Sequence, residues 1–141
     1  MLRWFHPAVV HFSIAFLAAG GAVGCLGYLS RRPRWIRVGH QLLAVGSLCL
    51  LPTLVTGYLA ANSVTTGAVA TELLADHEVA GWILTGCAAI TLLWLGSYRG
   101  EIPAGQRNPF AIWLAILVSA VLYAALLGGK LVYIYQVGTG A

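Results

Sequence analysis

Four apolar runs, each long enough to cross a bilayer, follow one another along this chain with only short polar breaks between them. A helix rises about 1.5 Å per residue, so roughly 20 residues span the ~30 Å hydrocarbon core. Inside lipid the backbone must satisfy its own hydrogen bonds, which leaves helices or closed barrels. Continuous apolar runs without polar alternation select helices. Composition agrees: 60% of the residues are hydrophobic and 9% charged, against about 25% charged in soluble domains. The sequence predicts an all-α fold, an integral membrane four-helix transmembrane bundle forming one domain over residues 1–141. The expected spans are about 6–29, 35–61, 71–98 and 109–135. No stretch is left for a soluble domain.

The charges set an expected topology. Arg31, Arg32, Arg34 and Arg37 fall in the first loop, which holds no acid. The third loop carries Arg99 and Arg107 against Glu101. Positive loops stay in the cytoplasm. The second loop has no Lys or Arg, and Glu72, Asp76 and Glu78 lie near it. Both termini are therefore expected on the periplasmic side of a bacterial inner (cytoplasmic) membrane. The net charge of +4 speaks to topology and is no argument for nucleic acid. Arg3 precedes an apolar run too long for a signal-peptide core, so the run is expected to remain as the first span.

Several local features punctuate the spans. Pro7 suits a first helical turn, where its missing N–H is harmless. Pro52 is expected to kink the second span. Thr71 is the expected N-cap of the third span, with the acids in its first turns. Gly20-x-x-x-Gly24 allows close helix approach. Cys25, Cys49 and Cys87 sit in apolar runs without CxxC or CxxCH spacing, so they read as packing residues rather than zinc ligands or covalent haem attachments.

The histidines carry the functional question. Imidazoles in a membrane need partners. His11 tops a stripe of Ala15, Ala18, Ala22 and Cys25, and His77 tops one of Ala80, Gly81, Leu84 and Ala88. With the expected topology both lie roughly 8–10 Å inside their helices from the outer end. Two imidazoles at one depth above small side chains suit a b-type haem, with His11 and His77 as axial ligands to the iron. Lys130 and Arg3 stand at the end where propionates would lie. Alternatively, His11 bonds a carbonyl of the second span, His77 belongs to an acid-flanked cap, and the small stripes are ordinary helix contacts. His40 is expected to hydrogen-bond at an interface near the opposite face. His6 is expected at the outer surface, about 140° around the helix from His11. Mid-span carboxylates, a nucleotide loop and a Ser/His/Asp set are all missing, so an enzyme acting alone is not expected.

Four pieces together resemble a family of small bacterial four-span membrane proteins of unknown function. They are His6-Pro7-Ala8-Val9-Val10-His11-Phe12, Thr56-Gly57-Tyr58, His77, and Gly128-Gly129-Lys130-Leu131-Val132-Tyr133. The resemblance implies an electron-transfer setting, because relatives occur near or joined to Rieske or cytochrome c domains. It places the family's histidines on His6, His11 and His77. Many relatives continue into a His-Gly pair where this chain has Tyr135-Gln136.

Two functional expectations follow. The first is a b-type cytochrome-like, haem-binding subunit of a bacterial electron-transfer complex, working with quinone or a periplasmic cytochrome or Rieske protein. The second is a cofactor-free accessory subunit that stabilises or anchors a larger respiratory or photosynthetic membrane complex. In either case the partners are other membrane subunits and the lipid bilayer.

Overall fold

The computed structural model describes the backbone of residues 2–64 and 66–137, with side chains from Phe5 onward. Four long helices account for nearly all of it: α1 (Leu2–Leu29), α2 (Pro33–Ala61), α3 (Ala68–Ser97) and α4 (Arg107–Tyr133). A short 3-10 turn, Ala104–Gln106, precedes α4. All four are long and apolar enough to cross a membrane. The helices form a ring in chain order: α1 packs on α2 and α4, and α3 packs on α2 and α4. Pairs α1/α3 and α2/α4 therefore face each other across diagonals.

The ends of the helices depart from expectation in two places. α1 begins at Leu2, so Pro7 lies inside it rather than in its first turn. Pro52 lies inside α2, the span expected to hold it. Thr71 does not cap α3: the N-cap is Gly67, and the Thr71 hydroxyl donates back to the Gly67 carbonyl at 3.1 Å. Threonine inside a first turn bonds the preceding turn in this way.

Lipid offers no hydrophobic drive between helices, so close packing holds the bundle together. The α1/α2 pair achieves it with glycine. A Cβ on Gly39 would sit 2.6 Å from the Gly24 Cα, and one on Gly20 would sit 2.8 Å from the Leu43 nitrogen. Gly27 and Gly46 meet backbone of the opposite helix just as closely. The buried face of α1 is Ser13, Leu17, Gly20, Gly24 and Gly27. Leu43, Leu114, Leu117, Val121 and Phe110 fill the centre opposite it.

At the arginine-loop end, His40 is 6% exposed and fully bonded. Its Nδ1 donates to the Gly100 carbonyl at 3.0 Å, and its Nε2 accepts from the Tyr28 hydroxyl at 2.9 Å. Phe110 packs edge-on against the imidazole. His40 thus joins α1, α2 and the α3–α4 loop, the hydrogen-bonding role expected of it.

Candidate functional site

The opposite end of the bundle, which carries the termini, holds a cavity of about 490 Å³ bordered by all four helices. That size falls within the usual range of small-molecule sites, about 300–1,000 Å³. Its walls are mostly apolar, with imidazoles projecting from α1 and α3.

The face of α1 that buries Ser13 and Leu17 also carries His6. Seven residues make nearly two helical turns, so His6 and Ser13 share one side. The His6 ring is half-buried against α2. It rests on Gly57, where a Cβ would come within 2.9 Å of Cε1. Its Nδ1 lies 3.2 Å from the Thr56 hydroxyl. The same hydroxyl is within hydrogen-bond reach of two carbonyls of its own helix, Pro52 at 2.7 Å and Thr53 at 3.1 Å. One turn deeper, the Ser13 and Thr53 hydroxyls bond at 2.8 Å, and Thr53 donates to the Cys49 carbonyl. These bonds fix α1 against α2 directly beneath the site.

His77 enters from the diagonal helix. Its ring rests on Gly128 of α4, where a Cβ would lie 3.0 Å from Cε1. Ala124 turns its carbonyl toward the ring from one turn away. Even so, Nδ1 of His77 is buried with no hydrogen-bond partner, the only such side-chain atom among the described residues. The rings of His6 and His77 meet edge to face, with centroids 6.4 Å apart and planes at 70°.

His11, the expected partner of His77, is exposed at the border of the same cavity, and its Nδ1 bonds the Pro7 carbonyl. The structure thus brings His6 to His77 in ring contact, where the stripe argument placed His11. His6 is correspondingly half-buried rather than at the surface. The reason is rotational: the glycine face of α1 turns inward, and the His11–Ala15–Ala22 side turns outward. Lys130 is exposed in the last turn of α4, two residues beyond Gly128. The Arg3 side chain lies outside the described residues. The three cysteines are free and half-buried.

No group of three or more His, Cys, Asp or Glu gathers among the described residues. The two imidazoles meet edge to face, and each is seated on a glycine of a neighbouring helix.

The fold and this site define a small multi-pass membrane protein, a four-helix bundle consistent with an inner-membrane location, with paired histidines at its terminal end. The chain belongs to the family described as "Predicted membrane protein (DUF2231)", whose model matches residues 4–141. No curated protein and no solved structure matches it.

Proposed function

We propose that this chain is an accessory subunit that packs into, and stabilises, a larger respiratory or photosynthetic membrane complex. One observation carries the reading. The glycines of α1 and the first half of α2 are taken up in contacts within the bundle, whereas a Cβ on Gly86 of α3 would meet nothing within 4 Å. Gly86 lies mid-span on an exposed face, one turn from Trp82 and one from Ile90, which are 65% and 46% exposed. Glycine inside a helix costs roughly 0.5–1 kcal/mol relative to alanine. Nothing inside this bundle offsets that cost at Gly86. A notch between two large side chains suits the close approach of another transmembrane helix. On this reading the chain performs no reaction of its own and is a non-catalytic subunit of an oxidoreductase complex.

The arginine loops lie in the cytoplasm on this account, by the positive-inside rule, and both termini lie outside. The histidine end then faces the periplasm, where a cytochrome or Rieske partner would dock and where quinone in the outer leaflet has access.

A second reading, a b-type cytochrome-like subunit, is favoured by the His6–His77 pair and its unpartnered nitrogen. His6 then takes the place first given to His11, and Lys130 remains near enough to the cavity mouth to meet a propionate. A reduced-minus-oxidised spectrum of the purified chain tests this reading: a haem α-band supports it, and its absence from folded protein ends it.

The accessory reading is tested by native electrophoresis of solubilised membranes from the source cells. It expects the chain in an assembly well above its own mass, and Gly86→Leu to release it while the bundle stays folded. A wild-type chain running only as a monomer would refute it.

A further inference from the structure

We infer that Arg31 and Arg99, which close α1 and α3, form one binding surface for the headgroup of an anionic phospholipid, with His40 joining the two. A lipid site here does not depend on the subunit reading, since a chain that runs alone can hold lipid equally well.

The two helices end in the same way. After α1, the Arg32 amide donates to the Gly27 carbonyl at 3.0 Å and the Arg31 amide to the Tyr28 carbonyl at 3.3 Å. After α3, the Gly100 amide donates to the Leu95 carbonyl at 2.7 Å and the Arg99 amide to the Gly96 carbonyl at 3.1 Å. This pair of bonds requires a left-handed residue just past the helix, a place glycine usually takes. Arginine takes it both times, at φ 52° and 50°. Gln136 is also left-handed, at the far end of the bundle, so the conformation alone does not mark a site. What sets the two arginines apart is that they are coupled.

His40 couples them. Its Nδ1 donates to the carbonyl of Gly100, next to Arg99. Its Nε2 accepts from the hydroxyl of Tyr28, whose carbonyl receives the Arg31 amide. The two caps are thus tied together although α1 and α3 lie on a diagonal. Arg107, which opens α4, is near enough for its charge to act on Tyr28. Six of the chain's eight basic residues stand at this end, all exposed, against the single acid Glu101. Among the described residues none of the six is in an ion pair. The positive-inside rule asks for this charge but not for two loops tied in register.

Guanidinium groups bind phosphate through paired hydrogen bonds. The phosphates within reach are those of lipid, because the caps lie where the spans end. The Arg32 guanidinium sits 5.6 Å from the Trp35 ring centre, and an exposed tryptophan at a span end belongs to the headgroup layer. Basic clusters beside spans attract anionic headgroups.

The test uses the full chain, purified in a non-ionic detergent and freed of lipid. It is titrated separately with cardiolipin, phosphatidylcholine and inorganic pyrophosphate, and bound ligand is counted by native mass spectrometry. Cardiolipin should bind at least tenfold more tightly than either of the others. The double variant Arg31→Gly, Arg99→Gly should lose at least tenfold in cardiolipin affinity while its melting temperature holds or rises, because glycine suits both caps. Removing the same charge from α2, by Arg34→Gln with Arg37→Gln, should weaken binding less than threefold. His40→Ala should weaken binding with every arginine in place. The proposal is overturned if cardiolipin binds no better than phosphatidylcholine, if pyrophosphate binds as tightly, or if the two double variants lose affinity equally. A chain that migrates as a monomer yet holds cardiolipin in this way would refute the subunit reading and leave the lipid site standing.

Discussion

His6 and His77 touch ring to ring at 6.4 Å although their helices, α1 and α3, lie on a diagonal of the bundle without close backbone approach. Only the side chains bridge that gap. The other two helices, α2 and α4, supply the glycines beneath them. The terminal end thus carries two imidazoles, each seated on glycine, at the border of its cavity.

Filling those glycine seats should disturb the site before it disturbs the fold. Gly57→Leu and Gly128→Leu each place a side chain where an imidazole ring now rests. Overpacking of this kind costs typically about 1–3 kcal/mol. Both variants are expected to remain helical, with modestly lower melting temperatures in detergent and altered His6 and His77 side-chain resonances. Circular dichroism and histidine NMR check this.

The α1/α2 seam should tolerate far less. At Gly39 the obstacle is the Gly24 backbone at 2.6 Å, which cannot swing aside as a side chain can. Gly39→Leu is expected to destabilise by about 3 kcal/mol or more, the upper end of overpacking costs. Gly86→Leu, facing open space, should leave the melting temperature nearly unchanged. Thermal unfolding of the two variants in parallel makes the comparison.

Loss of the His40 clasp should be felt at the loop end alone. His40→Ala strands the Tyr28 hydroxyl and the Gly100 carbonyl. Each stranded group costs about 1–3 kcal/mol if buried. Stability should fall, and hydrogen exchange should rise around residues 98–102, while the resonances of His6 and His77 stay in place.

Topology follows from the arginines. An alkaline phosphatase reporter fused after Ala141 should be active, and one fused after Arg37 inactive. The reverse pattern would place the histidine end in the cytoplasm.

Much of this was legible in the chain. Span number and loop positions follow from apolar runs and Pro/Gly breaks, and the ends shift by only a few residues, as frayed and capped termini do. His40 as a hydrogen-bonding residue was also legible. The pairing of His77 was not, because the small-residue stripe under His11 looked like a contact face. The better signal lay in Gly20-x-x-x-Gly24. Carried about four turns back, that face runs through Leu17 and Ser13 to His6, and it is the face that glycine lets approach α2 most closely. Alanine stripes also line lipid, so they say less about which way a helix turns. Thr71 misled for a related reason: a good capping residue is overridden when the helix has room to begin one turn earlier.

The central claim, that α3 docks another membrane subunit at its mid-span notch, is tested most directly by photocrosslinking in native membranes. A photoreactive amino acid is placed at Gly86 and, as a control, at Leu122 on the exposed face of α4. The account predicts a discrete adduct with a second membrane polypeptide from position 86 and only lipid adducts from position 122. Lipid adducts alone from both positions would contradict it.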